Sequence, residues 1–278
     1  MKPLDEQTIL ITGATGGLGR ELAQRLAKRG SSLLLHGRDA ERGQEMVDKI
    51  KAATGNDQIR FYRADLSSLH EVAELAGQIR VPRLDVLVNN AGVGFGKDPS
   101  KRELSRDGYE LRFAVNYLAP YLLTDRLLPL LRASHPTRVV NVASVGQFPI
   151  DFDDIMFERG YNGVTAYRKS KLAMIAWTFH LAEMLTGSGV TVNALHPASL
   201  MPTKMVLETG WQTMSSVEEG LKATLRLVVD PALETETGKY FDGLSLARAN
   251  PQAYDKRVQK RLVALSQELV SRFSGSAL

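Results

Sequence analysis

The chain has 278 residues, 44% apolar and 24% charged, a composition that excludes intrinsic disorder, collagen-like repeats and coiled coil. With 35 Lys and Arg against 31 Asp and Glu the net charge is +4, and no basic block is dense enough to follow a phosphate backbone, so nucleic acid is not an expected partner. There are no cysteines, which removes disulfides, thiolate metal sites and cysteine nucleophiles together.

Met1–Gln7 is short and mixed in charge, and Thr8 opens an apolar run. Neither a secretory apolar segment nor a stretch of ~18 apolar residues is seen, so the expectation is a cytoplasmic protein with no membrane partner. Short runs then alternate with longer amphipathic ones. Thr8–Thr12, Ser32–His36, Ile59–Ala64, Leu84–Asn89, Arg138–Ala143 and Thr191–Leu195 read as strands, most of them apolar on both faces like buried parallel strands. Gly17–Arg29, Asp39–Ala53, Ser68–Ile79, Leu104–Leu131, Val164–Thr186, Ser216–Val229 and Tyr254–Phe273 read as helices. Pro120 and Pro129 should bend or break the fourth of these.

The alternation predicts an α/β chain, 1–278 as a single domain. Its sheet should be doubly wound and parallel, of about seven strands, with helices on both faces. Right-handed crossovers put all the strand carboxyl ends on one ligand-binding rim. Residues 198–216, after the sixth strand, lack periodicity and read as a substrate lid or as an ordinary surface loop. The Lys-, Arg- and Gln-rich C-terminal stretch reads as a solvated helix.

The first strand runs into Thr12-Gly13-Ala14-Thr15-Gly16-Gly17-Leu18-Gly19 and a helix follows at once. Glycines there permit a tight turn and close approach of a pyrophosphate, and the helix start supplies free N–H groups. Gly13, Thr15, Gly17, Leu18 and Gly19 are therefore expected to hold a dinucleotide. The second strand ends Leu35-His36-Gly37-Arg38-Asp39. Gly37 stands where an acidic residue would bind the ribose hydroxyls of NAD, and Arg38 can grip the additional phosphate of NADP with two parallel N–H bonds. NADP is the expected cofactor and NAD the less favoured one. In the alternative, Asp39 is the ribose acceptor or a helix cap and Arg38 is solvated.

Tyr167 and Lys171 lie four apart on one helix face. A phenol needs its pKa tuned down from ~10 to exchange protons near neutrality, and an ammonium nearby favours the phenolate. Ser144, at the end of the fifth strand, can hold a substrate oxygen meanwhile. Tyr161 lacks a lysine one turn on, since residue 165 is Thr. Asp153 and Asp154 have no histidine beside them and read as a solvated turn, so no metal site is expected.

Thr12-Gly13-x-x-x-Gly17-x-Gly19, Asn89-Asn90-Ala91-Gly92, Asn116, Ser144 and Tyr167-Arg168-Lys169-Ser170-Lys171 occur in this order, and from Thr8 to His196 the chain resembles the short-chain dehydrogenase/reductase family. Val115-Asn116-Tyr117-Leu118, Asp151–Asp154 and Gly238-Lys239-Tyr240-Phe241-Asp242 resemble its retinol-dehydrogenase-like branch. The resemblance implies a Rossmann-type sheet, a bond from Lys171 to the nicotinamide ribose and a proton-relay water oriented by Asn116. It implies Asp65, with Leu66, at the adenine, and Asn90, Ala91, Gly92 and Pro197 along the cofactor. Asp65 could instead cap the following helix. It further implies a homo-dimer or homo-tetramer built on Leu104–Leu131 and Val164–Thr186, although their apolar stripes could equally be core.

Two departures stand out. Pro197-Ala198 replaces the family's Pro-Gly, which would strain Ala198 if a left-handed backbone is needed there. Phe148–Tyr161 reads as an insertion expected to line one wall of the substrate site. Apolar residues in the lid segment (Met201, Met205, Val206, Leu207, Trp211, Met214) point to a hydrophobic small-molecule substrate. The leading expectation is NADP(H)-dependent interconversion of a ketone or aldehyde with an alcohol, Tyr167 acting as acid and base. Alternatives are C=C reduction, epimerisation or dehydration on the same scaffold, or a dinucleotide-sensing protein without turnover.

Overall fold

The computed structural model describes residues 1–273. In chain order its elements are β1 (Thr8–Ile11), α1 (Gly17–Ala27), β2 (Ser32–Gly37), α2 (Ala40–Thr54), β3 (Ile59–Arg63), α3 (Leu69–Gln78) and β4 (Val86–Asn89). Then come α4 (Leu111–Phe113), a π-helical turn (Ala114–Leu118), α5 (Ala119–Ala133), β5 (Thr137–Val142), α6 (Gly163–Met184), β6 (Val190–His196), α7 (Lys204–Leu207), α8 (Val217–Val229), β7 (Tyr240–Asp242), β8 (Ser245–Ala247) and α9 (Lys256–Val270). One sheet runs in the order β3-β2-β1-β4-β5-β6-β7-β8. The chain reverses direction of winding between β1 and β4, so the carboxyl ends of these strands flank a crevice.

The strands are buried because they feed two cores. Leu10, Leu34 and Leu87 pack on the α3, α5 and α6 side, whereas Ile9, Ile11, Val86 and Val88 pack beneath α1, α2 and α8. Polar residues at the helix starts fix where several of the connecting loops end: Asp39, Ser68 and Asn162 each accept a first-turn backbone N–H.

The sheet matches the expected doubly wound, mostly parallel form of about seven strands, with one addition at its edge. Among the described residues it has eight, and the last, β8, pairs antiparallel with β7 through a short turn at Gly243, whose φ is +57°. Each of these two strands is only three residues long, too short to carry a periodicity. The fourth predicted helix also begins later, at Leu111, because Leu104 and Glu110 form an isolated bridge and the Glu110 carboxylate accepts the Phe113 N–H at 2.7 Å. The prolines do not break it. The π turn precedes Pro120, which has no N–H to give the Asn116 carbonyl, and α5 continues through Pro129.

The C-terminal helix is not simply solvated. Gln259, Leu262, Ser266 and Val270 make a buried stripe along α9, which packs on α6 and ties to the π turn where the Tyr117 and Ser266 hydroxyls meet at 2.7 Å. Much of the α6 surface expected to face a second subunit is thus covered within the chain. Among the described residues no helix is long and apolar enough to cross a membrane.

Candidate active site

A cleft of about 930 Å³ opens at the carboxyl ends of the parallel strands. Gly13, Thr15, Gly17, Leu18, Gly19, Arg38, Asp65, Leu66, Asn90, Ala91 and Gly92 line it together with Ser144, Tyr167, Lys171 and Pro197. Asn116 does not reach its wall.

At one end the loop after β1 is held tightly. Thr12 Oγ1 accepts the N–H groups of Asn90 and Ala91, each at 3.0 Å, and the Asn90 amide donates to the carbonyls of Thr12 and Gly13 at 2.8 and 3.1 Å. Gly13 has φ +66°, and a Cβ there would lie 2.7 Å from the Ala91 Cα. A Cβ on Gly19 would lie 2.3 Å from the Gly13 carbonyl oxygen. Glycine is therefore demanded by backbone conformation at one position and by close packing at the other. No side chain caps α1 at Gly16, which leaves first-turn amides facing the cleft. That is a cradle fitted to a pyrophosphate.

His36 is the brace behind this loop, and sequence reasoning passed over it. Its ring is buried, Nδ1 accepting from Gly13 N–H at 3.3 Å and Nε2 lying 3.1 Å from the Ala64 carbonyl. With Nδ1 accepting, the proton sits on Nε2 and donates to Ala64. Burial lowers its pKa to about 4, so the ring is neutral. Its only sequence signal was a polar residue within the apolar second strand.

Beyond β2, Asp39 is used as the α2 cap, its carboxylate accepting Arg42 N–H at 3.1 Å. Arg38 is exposed on the cleft and, among the described residues, makes no hydrogen bond or ion pair. Gly37 is needed there, since a Cβ would stand 2.4 Å from Thr15 Cγ2. Burial pushes the Asp65 carboxyl up, but hydrogen bonds from Ser67 and the charges of Arg106 and Arg38 outweigh it and hold it below the usual range. Asp65 does not cap α3; Ser68 does.

At the other end, Tyr167 and Ser144 line the cleft together. Burial raises the Tyr167 pKa and the Ser144 side chain pulls it back only in part, so the downward tuning expected of the phenol is not produced by the protein groups present. Lys171 is buried and its ammonium donates to the Val142 carbonyl at 2.9 Å, with Nζ 5.7 Å from the centre of the Tyr167 ring. Burial lowers its pKa to about 8. Asn116, on the π turn behind Gly92, has its amide committed: Oδ1 accepts Val93 N–H at 2.8 Å, and Nδ2 donates to Val93 O and Ser170 Oγ at 3.1 and 3.0 Å. Both amide protons are thus engaged within the protein.

The substrate end is walled differently from expectation. Residues of the 198–216 segment line it, including Leu200, Met201, Met205, Trp211 and Met214. Ala198 is not strained; within this segment the left-handed positions are Leu200, φ +44°, and Gly210, φ +70°. The Phe148–Tyr161 segment contributes nothing to the lining. It packs on the core away from the cleft, Ile150 exchanging two hydrogen bonds with the Gln252 side chain, and the Tyr161 hydroxyl joining Arg112 and Glu110, each at 2.9 Å. Phe95 fills the wall instead, edge-on to Tyr167 at 4.8 Å between centroids.

Comparisons with known proteins agree with this geometry. The family model for short chain dehydrogenases matches residues 7–212. Retinol dehydrogenase 13 of Homo sapiens is 37% identical over 95% of this chain and 84% of its own length, and human retinol dehydrogenase 11 is 33% identical over 96% and 86%. A crystal structure of a Mycobacterium paratuberculosis protein superposes with a TM-score of 0.78 at 28% identity, covering 96% of this chain and 94% of its own. A short chain dehydrogenase of Shigella flexneri, solved in complex with NADP, gives a TM-score of 0.72 at 27% identity over 87% and 99%.

Proposed function

The chain belongs to the short chain dehydrogenase family, in its retinol-dehydrogenase-like branch, and from that premise we propose that it interconverts a ketone or aldehyde with an alcohol on a hydrophobic small molecule, using NADP(H). At the coarser level it is an NAD(P)-dependent oxidoreductase acting on CH–OH groups. The observation that carries the finer reading is that Tyr167, Ser144 and Lys171 line the same cleft as the glycine cradle.

The dinucleotide fits what is present: two glycines whose Cβ positions are filled, open first-turn amides and the exposed Arg38 guanidinium on the cleft. Gly13, Thr15, Gly17, Leu18 and Gly19 would hold its pyrophosphate, Arg38 its additional phosphate, Asp65 and Leu66 its adenine. Asn90, Ala91, Gly92 and Pro197 would follow its length. The nicotinamide, when bound, supplies or accepts the hydride.

Ser144 Oγ orients the substrate oxygen, and the Tyr167 phenol gives it a proton as the C–H bond forms, or takes one in reverse. A phenol raised by burial is protonated at neutral pH, the form that reduction requires. Lys171 stands ready to turn from Val142 toward the cofactor ribose and lend its charge to Tyr167. Asn116 serves by fixing Val93 and Ser170, and so the position of Gly92. The 198–216 segment acts as the lid of a single-domain protein, without nucleic-acid or membrane partners, in the cytoplasm. A homo-dimer or homo-tetramer would use surface other than the α6 face that α9 covers.

Incubation with NADPH and a panel of apolar ketones and aldehydes, with product identification, tests this reading. Alcohol product with consumption of NADPH is expected. Tight NADPH binding with no turnover across the panel would identify a sensor instead.

A further inference from the structure

The substrate end of the cleft contains an aromatic arrangement that the proton-transfer groups do not explain. Phe95 lies between two other rings. It meets Tyr167 edge-on, with centroids 4.8 Å apart and planes at 84°, and meets Trp211 at 4.8 Å and 36°. All three residues line the cleft. Trp211 is 44% exposed, so one side of its ring is open to whatever enters.

Phe95 is held from its backbone side with unusual firmness. The Arg112 guanidinium, 1% exposed, donates through Nε to the Gly94 carbonyl at 3.0 Å. Its remaining nitrogens meet Glu103, Glu110 and the Tyr161 hydroxyl, so the buried charge is balanced in place. On the other side the chain rests on α6, where a Cβ at Gly163 would lie 2.2 Å from the Phe95 carbonyl oxygen. A ring carried by backbone pinned on both sides has little freedom to withdraw. The Trp211 side is tethered less: Met214 N–H donates to the carbonyl of the left-handed Leu200 at 3.2 Å, and α7 is a single turn.

We propose, resting on the function above, that Phe95 is the specificity-determining residue of this site: with Trp211 it forms the aromatic wall on which the flat, apolar body of a carbonyl substrate lies while its reacting carbon faces Tyr167. Arg112 is a positioning residue that sets where the wall stands. Substrates with an aromatic or conjugated body gain ring contacts along this wall, whereas short aliphatic carbonyls do not extend to it. Trp211, on the loosely tethered side, is the half of the wall that adjusts to substrate thickness.

The test is steady-state kinetics with NADPH for the unaltered protein, Phe95→Ala and Trp211→Ala on two aldehydes that share a reacting group, propanal and naphthaldehyde. Phe95 is partly exposed, so its truncation opens no sealed cavity in the core. Both variants should lose about tenfold or more in kcat/KM for naphthaldehyde, mostly through KM, and change little for propanal. Equal losses on both aldehydes, or no loss on either, would overturn the assignment of Phe95 while leaving the proposed reaction intact. If the unaltered protein turns over neither aldehyde nor any other carbonyl compound, the proposed reaction fails and takes this wall with it.

Discussion

Lys171 donates its ammonium hydrogen to the Val142 carbonyl at 2.9 Å instead of bonding the phenol of Tyr167, one helical turn away on the same face of α6. The ammonium is therefore stored in a buried place where only one backbone dipole serves it. Burial lowers its pKa from 10.5 to about 8. In the unfolded chain the amine keeps its proton to higher pH, so between these two values the unfolded state binds more protons than the folded one. Stability must then rise with pH across that window, by at most about 3.5 kcal/mol at ~1.4 kcal/mol per unit. Melting temperatures of the cofactor-free protein and of Lys171→Met, measured from neutral to alkaline pH, should diverge in favour of the unaltered protein as pH rises. A constant difference would mean that the amine titrates as it does in water.

Arg38 is a guanidinium at the rim that, among the described residues, makes no hydrogen bond or ion pair, and Asp39 beside it is occupied as a cap. Removing a charge-assisted contact to phosphate costs ~1.5–3 kcal/mol, or about tenfold to a hundredfold. Arg38→Ala should raise KM for NADPH by that factor and leave KM for NADH nearly unchanged. Equal effects on the two cofactors would assign Arg38 to general surface charge.

Gly19 has no room for a side chain, because a Cβ would press on the Gly13 carbonyl and the Asn90 amide at 2.3 and 2.6 Å. Gly19→Ala must displace the loop that carries the open amides. NADPH affinity, followed by fluorescence titration, should fall at least tenfold, about 1.4 kcal/mol, with a smaller change in melting temperature than a core truncation produces. Gly16, where a Cβ meets nothing within 4 Å, is the control, and Gly16→Ala should be mild.

Leu262, on α9, is fully buried against the α6 side of the core. Leu262→Ala should destabilise by ~2–5 kcal/mol, as burial and cavity formation require. Chemical denaturation measures it. A change within about 0.5 kcal/mol would mean that the helix is a detachable cover.

Much of this was legible in the chain itself. Runs such as Ile9–Ile11 and Val86–Val88 are apolar at every position because both sheet faces are covered, and that continuity marks parallel strands. The glycine cradle and the Tyr167, Lys171 and Ser144 group could be read from spacing, since each stands at a strand end or on a helix face. What could not be read depends on long-range contact. Phe95 is one aromatic residue between glycines, and only the fold brings Tyr167 and Trp211 to it. The charges of α9 concealed a four-residue stripe whose partner lies on α6. Nothing local to Arg112 marks it as buried; the fold closes Glu103 and Glu110 round it.

The central claim is that the Tyr167 hydroxyl exchanges the proton, and Tyr167→Phe tests it most directly because the ring, its contact with Phe95 and the cleft are retained. NADPH affinity and turnover of the best carbonyl substrate should be measured on the same preparation. Unchanged affinity with a fall in kcat of ~10²–10⁴-fold, the usual contribution of general acid catalysis, is the predicted result. A variant that binds NADPH equally well and retains more than about a tenth of kcat would contradict the account.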